Sequence, residues 1–295
     1  MAPPAQSRTD RAEPHRPESD VSRQASAQEL PEAKKPLKEI LDEEVREGRA
    51  ALFRPTGGLL LSGLSAGLDI GFSAMLMVVS LTFLQDRESA GAHLFTSGLT
   101  AFGFVFVVLG RSELFTEHTT LAMLPVLRGK APVRALVRLW VVLYTANLAG
   151  TAVFALMGAW TALSLGAADR SAFDLIARRL VEHPAGAIFL SGVLAGWLMG
   201  LLSWLVAAAR DTIGQIVIVW VIATTINFLG LHHCIVGTAE LASACWAGSD
   251  VSPAQFAHFL GWTTLGNAIG GTVFVALIKF GHARLEASRE PAEVR

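Results

Sequence analysis

Six apolar stretches, each long enough to cross a lipid bilayer, constrain this chain more than any other feature. They run from about 58 to 84, 94 to 127, 133 to 165, 185 to 209, 213 to 246 and 254 to 281. A hydrocarbon core of roughly 30 Å takes about 20 apolar residues at a helical rise of 1.5 Å. Backbone groups in that layer must be satisfied internally, which limits the solutions to helices and closed barrels. The stretch lengths select helices, so the expected class is an all-α polytopic membrane protein with six transmembrane helices. Composition agrees, with 52% hydrophobic and only 17% charged residues, against about 25% charged in soluble domains. Much of that charge lies in the first 54 residues, so the net charge of −1 says nothing about partners. The bilayer is the expected surroundings, and nucleic acid is not an expected partner.

The flanks read differently. No apolar stretch begins at Met1, so no cleavable signal peptide is expected. Residues 1 to about 30 are rich in Pro, Ala, Ser, Glu and Arg, a disorder-prone composition. In PLKEILDEEVREGRAALF, residues Leu37, Ile40, Leu41, Val45 and Ala51 or Leu52 fall near helical spacing. That pattern fits an amphipathic helix on the membrane surface or a solvated helical linker. The expected organisation is an N-terminal tail over 1–53, a transport domain over 57–281 with halves at about 58–165 and 185–281, and a short tail over 282–295. Lys34, Lys35, Lys38, Arg46, Arg49 and Arg54 precede the first stretch, and RGKAPVR follows the second. By the positive-inside rule both belong to the cytoplasmic side, with Arg178 and Arg179 as exceptions on the other. Both termini are therefore expected in the cytoplasm of a cell bearing this protein in its inner membrane.

The chain also resembles itself. SGLSAGLDIG (62–71) and SGVLAGWLMG (191–200) share a frame, as do NLAGTAVF (147–154) and NAIGGTVF (267–274). Spans 1 to 3 thus recur as spans 4 to 6, and an odd number of spans per half inverts the second copy. Glycines spaced by four also let membrane helices approach closely. The middle stretch of each half, at 94–127 and 213–246, covers about 51 Å as straight helix, more than the bilayer needs. Each carries polar residues partway along, RSELFTEHTT (111–120) and GLHHCIVGTAE (230–240). Two broken helices at matching positions account for both facts and point to a transport site.

Ionisable residues inside a span are functional candidates by default. Here they are Asp69, Arg111, Glu113, Glu117, His118, His232, His233 and Glu240. Arg111 with Asp69 or Glu113 also reads as a structural ion pair. His232 stands about 100° around a helix from His233 and faces the same way only where the backbone is irregular. Cys234 and Cys245 lack metal-ligand spacing and read as small buried hydrophobes. The histidines form no HxH or HxxxH set, so no metal is expected. No cofactor motif, nucleophile elbow or H-E-x-x-H is present, and no enzyme is expected.

On these residues the chain resembles the formate/nitrite transporter family. The resemblance spans about 57–281 and is carried by ELFT in the second stretch, by Trp140, Tyr144, Asn147 and Gly150 in the third, by Gly230 and His233 in the fifth, and by GNAIGG (266–271) in the sixth. It implies an aquaporin-like homopentamer with one pore per protomer, passing formate, nitrite, acetate, lactate or hydrosulfide as anion or conjugate acid. It implies that Leu114, Phe115 and Thr116 line the first break and that His233, beside that threonine, exchanges a proton between apolar constrictions; Phe104 is a further pore candidate. The family usually has a glutamate where His232 stands and an asparagine where Gly237 stands. An asparagine common in its fourth span corresponds to Gly196, and Arg178 or Arg179 lies nearest to its anion-attracting lysine. The extra acids Asp69, Glu113, Glu117 and Glu240 leave a pore for a cation, ammonium or a neutral solute as the alternative.

Overall fold

The computed structural model describes residues 34–287; the expectations for residues 1–33 and for 288–295 lie outside them. Helices account for the apolar stretches. In chain order they are α1 (Leu37–Phe53), α2 (Thr56–Phe83), α3 (Ala90–Leu109), α4 (Phe115–Leu121), α5 (Met123–Leu127), α6 (Val133–Ser164), α7 (Arg170–Val181), α8 (Ala185–Ala208), α9 (Thr212–Phe228), α10 (Cys234–Ala247) and α11 (Pro253–Ile269). A π-helical segment, Gly270–Leu277, then leads into α12 (Ile278–Ala287). Among the described residues, five helices are long and apolar enough to cross a membrane: α2, α3, α6, α8, and the continuous run from Pro253 to Leu285. α9 and α10 are apolar but shorter, at 17 and 14 residues.

The glycine frames are helix crossings. A Cβ on Gly67 would fall within 3.0 Å of the Asn147 carbonyl oxygen, and one on Gly150 would meet the Leu64 carbonyl in the same way. Gly196 stands against the Asn267 carbonyl and Gly270 against that of Val193. Thus α2 lies backbone to backbone on α6, and α8 does so on α11 and the π-helical segment. Membrane helices gain little from hydrophobic burial against one another, so such close approach supplies the packing.

The helix α1 is neither a surface helix nor a solvated linker. Its Ile40, Leu41 and Val45 are buried in a cluster with Leu124 of α5, Trp204 and Ala207 of α8, and Ala276. Gly48 sits so close to α4 that a Cβ there would strike the Leu121 carbonyl. The same buried face carries Glu44, only 1% exposed, whose Oε2 accepts from the Ser203 hydroxyl at 3.1 Å while Oε1 has no partner. Burial is the main cause that pushes the Glu44 carboxyl up to about 8, and the neighbouring acids Glu117, Glu47 and Glu43 add to it against the opposing Ser203 bond.

Two predictions follow from this packing. Gly67→Ala and Gly196→Ala should each part a helix pair and cost about 1–3 kcal/mol, read as a lower melting temperature in detergent; Gly57→Ala, which meets nothing within 4 Å, should not. Because the folded-state value of Glu44 lies above its unfolded one, its contribution is fully present below about pH 4.5 and is lost as pH rises through about 8. Wild-type stability should therefore fall with rising pH over that window, at up to about 1.4 kcal/mol per unit. Glu44→Gln should flatten that part of the melting-temperature profile.

Candidate functional site

Two interruptions organise the interior. The helix α3 ends at Leu109 and α4 begins at Phe115; α9 ends at Phe228 and α10 begins at Cys234. Both leading helices stop in the same way. Arg111 has φ 55 and Gly230 has φ 63, and the following amides, Ser112 and Leu231, reach back to the carbonyls of Val107 and Ile226 at 3.0 and 2.9 Å. This is a Schellman closure, in which a left-handed residue turns the chain out of the helix. Arginine takes that conformation at a steric cost that glycine avoids.

One asparagine holds each break. Asn147 of α6, fully buried, accepts from the Phe115 amide at 2.8 Å and donates to the carbonyls of Gly63 (2.8 Å) and Glu113 (3.1 Å). Asn267 of α11 accepts from the Cys234 amide at 2.8 Å and donates to the carbonyls of Gly192 (2.8 Å) and His232 (3.0 Å). Two of the three bonds of each amide serve backbone groups for which the interrupted helix has no partners, and the third ties it to an intact helix, α2 or α8.

Between the two restarts lies the central pair. His233 is 3% exposed and caps α10. The Val236 amide donates to its Nδ1 at 3.2 Å, so the ring proton sits on Nε2 and is donated to the Thr116 hydroxyl at 2.9 Å. Phe104 stands edge-on to the imidazole with centroids 5.4 Å apart. Phe104, Leu114, Phe115 and Val107 belong to one buried apolar cluster with Val219, Ile222 and Ile226. Phe115 is itself packed edge-on against Trp140 and Tyr144.

A cavity lies toward each end of α3, and the eleven residues from Ser97 to Val108 set the two linings about 16 Å apart along the helix. One, of about 80 Å³, is lined by His93, Thr96 and Ser97 near the start of α3, by Arg179 of α7, and by His233 and Glu240. The other, of about 660 Å³, is lined by Val108 and Leu109 at its end, together with Arg54, Arg111, Glu113, Glu117 and His118. Phe104, Leu114, Phe115 and Thr116 line neither cavity and are buried, at 0–4% exposure.

Several candidate residues lie elsewhere than their sequence positions suggested. Arg111 pairs with neither Asp69 nor Glu113. Glu113 is bridged by Arg54 at 2.9 Å, and Asp69 accepts from the hydroxyls of Ser112 (3.2 Å) and Ser65 (3.4 Å). The left-handed backbone of Arg111 leaves the residue exposed. His232 is turned from the cavity that His233 lines: Nδ1 meets the Ser191 hydroxyl at 2.5 Å and Nε2 the Leu180 carbonyl at 3.3 Å, beside Phe259. Thr116, Glu117 and His118 are already helical, and His118 Nδ1 donates to the Leu114 carbonyl at 3.0 Å. Sequence reasoning missed His93, which has no local signal, and Glu44, which had one: it shares the helical face of Leu41 and Val45.

Apolar helices with two broken elements and a buried histidine on the wall of an inner cavity fit a membrane transport protein. The model of the family described as formate/nitrite transporter matches residues 38–281, and the chain belongs to that family. The inner membrane protein YfdC of Escherichia coli (strain K12) is 27% identical over 288 residues, 94% of this chain and 90% of that protein. A solved FNT family ion channel superposes with a TM-score of 0.74 at 24% identity, covering 83% of this chain and 98% of the other. A solved pentameric formate channel with formate bound gives 0.67 at 23% identity, over 77% and 97%.

The asparagine clamps are testable. Asn267→Leu leaves the Cys234 amide and the His232 carbonyl without these bonds and should cost about 2–5 kcal/mol, measured as thermal or denaturant unfolding. Asn147→Leu should behave alike.

Proposed function

We propose that this protein is a channel or proton-coupled transporter for small monovalent anions or their conjugate acids, of the formate, nitrite, acetate, lactate or hydrosulfide type. The observation that carries the reading is the His233–Thr116 bond of 2.9 Å, set against an apolar cluster, with His233 lining the smaller cavity and Glu117 and His118, next to Thr116 on α4, lining the larger. A bare anion in such a constriction loses its hydration without replacement, whereas a protonated weak acid crosses far more cheaply. Imidazole is the side chain suited to exchange that proton near neutrality. Adding a proton at His233 Nδ1 breaks the bond from the Val236 amide, and an anion beside the ring compensates that loss. Proton uptake and anion arrival are thereby coupled. Phe104, Leu114 and Phe115 form the constriction, and Thr116 holds the Nε2 proton until an anion replaces it. Asp69, Arg111, Glu113, Glu117 and His118 shape the larger vestibule; His232 positions the second break.

In this reading α3 with α4 and α5 is one crossing, and α9 with α10 another, which makes six. The matched Schellman closures and asparagine clamps support an inverted repeat of three plus three. Lysines and arginines around α1 and the loop before α6 favour cytoplasmic termini. A homopentamer is supported by the solved pentameric channel of the same fold and by outward apolar residues such as Leu61, Trp160 and Ile213, each about 70% exposed in the single chain.

Purified protein in liposomes should pass formate, nitrite or acetate, with flux rising as the medium is acidified. His233→Asn should lower weak-acid flux by about 10²-fold or more, and Thr116→Val should lower it less. A folded protein that moves none of these solutes but conducts ammonium or a monovalent cation would establish the alternative cargo.

A further inference from the structure

Glu240 is the unexplained member of the smaller cavity. It lies on α10 with His233, Val236 and Gly237, at intervals of three and four residues that share one helix face, and all four line the cavity. The residue is 5% exposed and its Oε1 has no hydrogen-bond partner. Arg179 lines the same cavity from α7, but its guanidinium donates to the Arg87 carbonyl at 3.5 Å and forms no ion pair with Glu240.

Apart from Asn227, the neutral polar groups of that wall are engaged. His233 uses both ring nitrogens, and His93 Nε2 donates to the Phe228 carbonyl at 2.9 Å. The hydroxyls of Thr96 and Ser97 donate to carbonyls of their own helix. The Glu240 carboxyl is therefore a hydrogen-bonding group the cavity leaves open, and a buried carboxyl without a partner is costly. His93, Arg179 and His233 are the charged or titratable groups facing it across the cavity. Arg179 supplies the positive charge that draws an anion in, and Glu240 the acid that meets it.

We propose that Glu240 is a specificity-determining residue, a subsite at which a small monobasic acid binds with one proton shared between its oxygen and the Glu240 carboxyl. The inference rests on the transport reading and deepens it. The proton balance is closed: it comes with the acid or is already on the carboxyl, and no other bond changes. Chloride, too weakly basic to share that proton, gains no comparable bond at Glu240 and is disfavoured there.

The test uses the full chain in liposomes, comparing formate and chloride flux for wild type and Glu240→Gln, with difference infrared spectra recorded on adding formate. Glu240→Gln should lower the formate-to-chloride ratio by roughly tenfold or more and abolish the formate-sensitive carboxyl band. An unchanged ratio and band, with both proteins folded, overturn the proposal and leave the transport reading standing. A carboxyl band that responds to formate in a wild type without flux keeps the subsite and overturns transport; absence of both overturns both. If Glu240→Gln fails to assemble, Glu240→Asp serves: a displaced band with a lower ratio supports the subsite, and an unshifted band overturns it.

Discussion

Everything in this molecule depends on how backbone interrupted among apolar helices is kept satisfied. A continuous helix needs no help there, but a broken one strands amides and carbonyls where no water replaces the lost partners. Two buried asparagines solve the problem twice, each accepting from the restarting helix and donating to two carbonyls. Placing an amide that deep requires close helices, and the glycines at Gly67, Gly150, Gly196 and Gly270 supply that closeness. The glycine frames and the asparagines are thus one device.

The breaks bring Thr116 and His233 within a hydrogen bond of each other inside an apolar cluster. Charge lies outside that cluster, in two cavities of different character. The larger one, about 660 Å³, holds arginines and acids together, with Arg54 and Glu113 paired. The smaller, about 80 Å³, holds two histidines, one arginine and an unpaired carboxyl.

Much of this was legible in the chain, because span lengths follow from bilayer thickness and the duplicated motifs are short and exact in their spacing. The apolar boundaries fall within a few residues of the helix ends, and His233 comes within 2.9 Å of Thr116. What was not legible depended on backbone direction. The polar run after Arg111 marked a break, yet Thr116 to His118 are already back in helix. Arg111 lost its expected partners because a left-handed residue points its side chain elsewhere, and Arg54, far away in sequence, took Glu113. The two adjacent histidines diverge because the second caps a helix while the first belongs to the turn. Glu44 was overlooked because a carboxylate on an apolar stripe contradicts the pattern used to find the stripe.

Both clamps are made of neutral amides, and the central bond joins a neutral imidazole to a hydroxyl. Ionic strength and membrane voltage act on net charge, so they exert little direct force on the parts that keep the two breaks in register. The groups that respond to them lie in the cavities, at Arg54, Arg179 and Glu113. The framework is electrically silent while the cavities beside it are not, so changes in salt or voltage reach the cavity walls without loosening the two breaks.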